Sequence, residues 1–501
     1  MILKRFFFIS TLFLCPAIVN GQVKDAFNSA RQSVGGGNVS AFNRNRASNF
    51  NDYRQKLNAE YVSKTREKWK DFNAFRGLTL PDRDAKPVSP INMSDEEAQR
   101  DKQDNRLDIN GVVSPIRNHG NPSPIAPVQE VPDNNPQHLN FSYLGTSLQV
   151  RKPQGGGGFS LSGTSENAVA DAWEKLCDSR YNNLIIDCIK LRSSLRLCDW
   201  AYLMMLQAMA NSYCGTNTNE ATLLMAYVYS QSGYKMRLGH ANGKLQMLYA
   251  SQHNVYNTPY YQCDGDKFFA MAKDVGQIQI NAAKYPKEQS MSLWVANEPQ
   301  VSFAASPGRK LTSKRYPEMS VQISENENLL SFFNSYPTSE VGGNFMTRWA
   351  MYANTPICQE TQSNLYAQLR RFIEGRSQLD AVERLLNWVQ TAFVYEYDDK
   401  VWGGDRAFFP DETLYYPYCD CEDRSILFTR LVRDLLNLKC ILIYYPGHLA
   451  SAVCFTDHVS GDYIQVNGQK YVVCDPTYIG ASVGHTMPDM DNASAKVIVL
   501  Q

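Results

Sequence analysis

The 501-residue sequence predicts an α+β protein in which a helix packs on an antiparallel sheet. Three observations point there. Apolar residues Leu427, Leu431 and Leu435, with Phe428, Val432 and Leu436, recur at helical spacing and mark a buried helix. Strand-like runs follow at residues 440–445, 449–455 and 469–474, divided by the turn residues Pro446-Gly447 and Asn467-Gly468. The same succession occurs earlier: a helix at 220–231, ended near Gly233, then strands at 234–238, 244–249 and 267–271.

Composition sets the limits. Hydrophobic residues make up 43% and aromatics 12%, enough for a sizeable core in two or three domains. Formal net charge is zero, so no global field draws the chain to nucleic acid or an anionic surface. Lys4 and Arg5, the apolar run from Phe6 to Leu14 and the small residues Val19 and Gly21 form a secretory signal pattern over residues 1–21, with cleavage expected before Gln22. Leu14 is too bulky for lipid attachment at Cys15. No later run is long enough to cross a bilayer, so the mature chain is expected to lack a transmembrane segment and to be periplasmic, cell-surface or secreted. Eleven of the twelve cysteines then remain, and an odd number leaves at least one thiol unpaired. Cys440 and Cys454 sit where a hairpin could bring them face to face.

Residues 22–78 are polar and basic. Spaced apolar positions (Tyr53, Leu57, Tyr61, Trp69, Phe72) predict an amphipathic helix over 50–75, docked loosely on the body or, as the alternative, lying on a membrane surface. Residues 79–138 are rich in proline, Asp, Asn and Ser and are expected to form a linker with too little apolar surface to order. A strand-like stretch begins near Leu139 and opens a domain over 139–275, whose further helices are expected at 168–177 and 199–210. The glycine run at 155–158 lacks the Lys-Ser/Thr of a phosphate loop. Alternating runs at 278–280, 292–295 and 321–323 predict a β-rich bridge over 276–360. Helical spacing through Leu369, Phe372, Val382, Leu386 and Val389 opens the last domain, 361–501.

The chemistry concentrates in Asp420-Cys421-Glu422-Asp423-Arg424-Ser425. Asp420 suits an N-cap, which puts Cys421 in the first helical turn, where the helix dipole lowers a thiol pKa. Glu422 and Asp423 oppose this, so the thiolate needs a cationic partner. His448 opens the second strand and Asp475 ends the third. A helix on a meander can join them: the imidazole takes the thiol proton, the carboxylate orients the ring, and the thiolate attacks a carbonyl. The plainer readings are a core cysteine, a turn histidine and a turn-capping aspartate. His458, in a loop, and His485 are rival bases. Gln390 is a candidate oxyanion donor, or else a solvent-facing amide. No His/Cys/Asp cluster has metal-ligand spacing, and neither metal nor cofactor is expected.

The motifs D-C-E-D-R-S opening a helix, G-H-L-A-S-A-V opening a strand and C-D-P-T-Y closing one resemble the transglutaminase-like superfamily with its papain-like fold, over residues 375–485. Two positions depart from the family pattern. Cys419 stands where Gly is usual, which raises a Cys419–Cys421 redox link, and Leu449 and Ala450 follow the histidine in place of an aromatic. The resemblance implies an exported enzyme acting on amide or peptide bonds through a Cys421 thioester, with His448 as base and Asp475 as orienter. Hydrolysis is favoured over cross-linking, on a peptide or protein substrate such as a cell-envelope peptide. Residues 220–245 align without gaps on 424–449, which suggests a second copy over 139–275. The catalytic places there hold Asn217, Lys244 and Ala272, so that copy is expected to be inactive. The alternative is a non-catalytic envelope binding or scaffold module that keeps the fold.

Overall fold

A computed structural model describes residues 38–79, 88–98, 102–114, 120–155, 158–272 and 276–501. The signal segment expected at 1–21 lies outside the described residues. The chain divides into two units, Met1–Leu57 and Asn58–Gln501. The described part of the first is helical. The second is mixed α+β and carries everything that follows.

Helix α1 spans Asn38–Thr65 and stops short of the expected end, so Trp69 and Phe72 lie beyond it. Within the second unit its last turns are firmly docked. Tyr61 is buried and stacks on Trp173 and Tyr285, with ring centroids 4.6 and 4.5 Å away. The expectation of loose docking does not hold here, because these rings remove large apolar areas from water.

Strand β1 (Lys70–Phe72) edges the first sheet. Three two-residue strands follow in the proline-rich segment: β2 (Ile91–Asn92), β3 (Asn105–Arg106) and β4 (Val112–Val113). Helices α2 (Asp199–Cys214) and α3 (Asn219–Gln231) then precede β5 (Met236–Ala241), β6 (Lys244–Ala250), β7 (Tyr260–Cys263), β8 (Asp266–Ala270) and β9 (Ile278–Ile280). The sheet order is β1-β9-β5-β6-β8-β7. The strand-like stretch from Leu139 is in fact a hairpin, His138–Tyr143 with Thr146–Arg151.

Residues 276–360 are less β-rich than expected. Helices Glu327–Asn334 and Thr347–Asn354 lie in this stretch, and the strand expected at 292–295 is irregular. Helices α4 (Gln378–Ala392) and α5 (Cys421–Leu436) follow, then β10 (Lys439–Tyr445), β11 (His448–Cys454), β12 (Asp462–Val466), β13 (Gln469–Cys474), β14 (Tyr478–Ile479) and β15 (Lys496–Val499). The second sheet runs β3-β12-β13-β11-β10-β15-β4, and α5 packs against its centre.

Strand β11 is buried on both faces. Val453 and Cys440 join the α5 side, whereas Ala450, Ala452, Ile441 and Ile443 face a second cluster closed by Leu107. Cys440 pairs with Val453 and Cys454 with Lys439, so the two thiols point to opposite faces and cannot be bridged across the hairpin. Leu107 belongs to the segment expected to be a bare linker. β3 and β4 from that segment pair in parallel with β12 and β15, covering both edges of the sheet.

The two sheets share a pattern. The order β9-β5-β6-β8-β7 corresponds to β15-β10-β11-β13-β12. Met236 faces Tyr249 and Ala241 faces Lys244 in one hairpin, while Cys440 faces Val453 and Tyr445 faces His448 in the other. Lys244 and His448 thus hold the same place.

Near α5 a pair of acids is buried. Asp411 accepts from the Cys358 N–H at 2.9 Å, and Glu325 accepts from the Thr361 hydroxyl at 2.8 Å. Burial, then mutual repulsion, drives Glu325 well above the usual carboxylate range, and burial lifts Asp411 to about 7. A carboxyl raised on folding contributes stability below its unfolded pKa and loses it as pH rises through the folded value. Wild-type stability should therefore fall between about pH 4 and pH 7. Asp411→Asn should reduce that fall by on the order of 2 kcal/mol, measured by urea unfolding at both ends of the window. An identical slope in the variant would refute the assignment.

Candidate active site

The start of α5 is built by its own acids. Asp420 accepts from the Glu422 N–H at 3.3 Å, and Asp423 accepts from the Asp420 N–H at 3.1 Å, a reciprocal cap. Asp423 also accepts from the Phe408 N–H at 2.8 Å. Cys421 is therefore the first helical residue, as the sequence predicts. One turn on, the Ser425 hydroxyl donates to the Leu449 carbonyl at 2.7 Å. This bond pins the start of the nucleophile's helix to the residue after His448.

The position of His448 follows from its turn. Pro446-Gly447 makes a two-residue loop in which Gly447 takes φ of 79°, a conformation that favours glycine. This sets His448 opposite Tyr445, whose ring lies near-parallel to the imidazole at 6.4 Å. His448 Nε2 meets Asp475 Oδ2 at 2.8 Å, and Asp475 Oδ1 accepts from the Thr477 N–H at 2.8 Å. His448 Nδ1 is buried without a hydrogen-bond partner. Cys421, His448 and Asp475 are each 2% exposed.

The rival histidines stand elsewhere. His458 is exposed and contacts Asp104 at 3.3 Å, and His485 contacts the Ser482 carbonyl at 3.1 Å. Gln390 is neither an oxyanion donor nor solvent-facing. Its amide nitrogen donates to the carbonyls of Asp475, Tyr478 and Ala481 at 3.1, 2.8 and 3.0 Å, so it is a positioning residue that holds the loop after Asp475. Nothing in its sequence neighbourhood signals these partners.

Electrostatics reverse one expectation. Burial, then the charges of Glu422 and Asp420, holds the Cys421 thiol well above its ordinary range, and its S–H donates to Glu422 at 3.1 Å. At this buried thiol desolvation outweighs the helix dipole. Cys419 and Cys421 are both free thiols, and Cys419 faces the Val394 carbonyl. Tyr395 also belongs to the site, and sequence reading missed it. Its phenol is pushed far up by burial and by Cys421, and it is positioned by parallel pairing of Val394–Tyr395 with Tyr418–Cys419.

The fold also gathers carboxylates whose spacing in sequence gives no hint of convergence. Ligand atoms of Asp398, Asp405 and Glu422, and of Asp398, Asp420 and Asp423, lie within 4.8 Å of one another. These residues could hold a cation. Burial, then the crowding of like charges, raises the Asp420 and Asp423 carboxyls well above their usual range, and Arg348 pairs with Asp405 at 2.5 Å. Among the described residues no helix is long and apolar enough to cross a membrane. No family model matches this chain, and no curated protein matches it.

Proposed function

We propose that the chain is an exported transglutaminase-like cysteine enzyme that acts on amide or peptide bonds, with hydrolysis favoured over amine transfer. The observation that carries this reading is the His448–Asp475 bond at 2.8 Å, which leaves Nδ1 unpartnered beside Leu449, the residue bonded to Ser425 on the first turns of the Cys421 helix. Nδ1 takes the thiol proton and the thiolate attacks the substrate carbonyl. The C–N bond breaks, the amine leaves with the proton from His448, and water then releases the acid from the thioester. Asp475 steadies the imidazolium throughout.

The central unit fits a silent copy of the same fold. Matched strand order and register support this, as do Lys244 and Ala272, which are exposed where His448 and Asp475 are buried. One observation favours the alternative of a non-catalytic binding module: the thiol is buried and protonated. An activated acyl ester separates the two. An enzyme should give an acyl adduct on Cys421 that is absent in Cys421→Ala and formed about 10⁴-fold more slowly in His448→Ala. Acylation indifferent to His448 would leave the binding module in front.

A further inference from the structure

We propose that the site takes its substrate as an extended polypeptide backbone laid beside Tyr478–Ile479, and that residues 88–93 of the chain itself occupy this groove and shield Cys421. The inference rests on the triad reading above.

The strap crosses between the two walls of the site. The Val88 N–H donates to the carbonyl of Gly447, the residue before His448, at 3.0 Å. The Val88 carbonyl accepts from the hydroxyl of Tyr395, whose backbone pairs with Cys419 two residues before Cys421, at 3.2 Å. One residue thus joins the histidine wall to the cysteine wall. Further on, β2 runs parallel to β14, the strand that follows Asp475-Pro476-Thr477, and the Met93 N–H donates to the Ile479 carbonyl at 2.9 Å.

These contacts are those of a peptide added to a sheet, with backbone bonds along its length and few side chains buried. Ser89, Ile91 and Asn92 are exposed. Val88 and Met93 anchor the segment, packing against Tyr478, Ala481 and Met487, and the Ser89 hydroxyl pairs with the Tyr397 hydroxyl. Main-chain recognition with two apolar anchors reads conformation more than sequence, so other extended polypeptides fit the same groove. A segment held this lightly also opens at low cost compared with global unfolding. The protonated, buried thiol belongs to this shielded state.

The test uses the reduced full chain and Val88→Pro/Met93→Pro, which removes both N–H donors without touching the triad. Alkylation of Cys421 by iodoacetamide, followed by peptide mass spectrometry, should be roughly tenfold or more faster in the variant. A synthetic peptide of residues 88–95 should slow it towards the wild-type rate. Equal rates in wild type and variant overturn the occlusion, and failure of the peptide to protect overturns the extended-backbone subsite. Val88→Pro alone, read in the same way, serves if the double variant melts early. Repeating the measurement with His448→Ala separates the two proposals. A fast opened variant indifferent to His448 sinks the triad but leaves the strap; a fast, His448-dependent wild type sinks the strap but leaves the triad.

Discussion

Arg424→Ala is expected to cost about 3–5 kcal/mol of stability, the largest loss from any single change near the site. The guanidinium is 1% exposed and donates to three backbone carbonyls: Gln390 at 3.2 Å, Phe393 at 3.0 Å and Pro476 at 3.4 Å. It also lies over the Tyr395 ring, 5.3 Å from the centroid. One side chain therefore ties α5 to the end of α4 and to the loop that carries Asp475. Alanine would leave three buried acceptors without a donor and a void the size of the side chain. Arg424→Lys should recover only part of the loss, because a compact ammonium lacks the rigid fork of donors that a guanidinium offers. Urea unfolding followed by circular dichroism measures both. A loss under about 1 kcal/mol for alanine would mean that water reaches these carbonyls and that the staple is unimportant.

That staple illustrates where the sequence is legible and where it is not. Periodicity places α5, because Leu427, Leu431 and Val432 must face one way whatever lies opposite. Turn chemistry places the hairpins, because Pro446-Gly447 and Asn467-Gly468 restrict the backbone locally. Asp420 reads as a cap for the same reason. The function of Arg424 and Gln390 is invisible, since residue type says nothing about which carbonyls will be brought near. The thiol of Cys421 departs from expectation because the helix dipole is a local quantity and burial is a tertiary one. The proline-rich segment does so because composition predicts how much apolar surface a stretch can bury alone. Strands β2, β3 and β4 are two residues each and bond chiefly through the backbone, with Leu107 as the main apolar anchor. An existing sheet supplies the order that the segment could not generate by itself.

Asp475 carries the second large effect, and asparagine is its sharpest probe. In the acylation assay with an activated ester, Asp475→Asn should slow formation of the Cys421 adduct by about 10³–10⁴-fold, and Asp475→Ala by no more. The reason lies in the two oxygens. Oδ1 is committed to the Thr477 N–H at 2.8 Å, which can only donate, so an asparagine must keep its oxygen there. Its amide NH₂ then faces His448 Nε2, at the position of the 2.8 Å contact. Two donors cannot share that contact, so Nε2 becomes the acceptor and the ring proton moves to Nδ1. That is the nitrogen proposed to receive the proton from Cys421, and it would already be occupied. Alanine removes the orienting group but does not force this tautomer. Nitrogen NMR of the imidazole should report the proton on Nε2 in the wild type and on Nδ1 in Asp475→Asn. If asparagine is tolerated within about tenfold while the tautomer shifts, His448 cannot be the base, and proton removal from Cys421 must be assigned to another group.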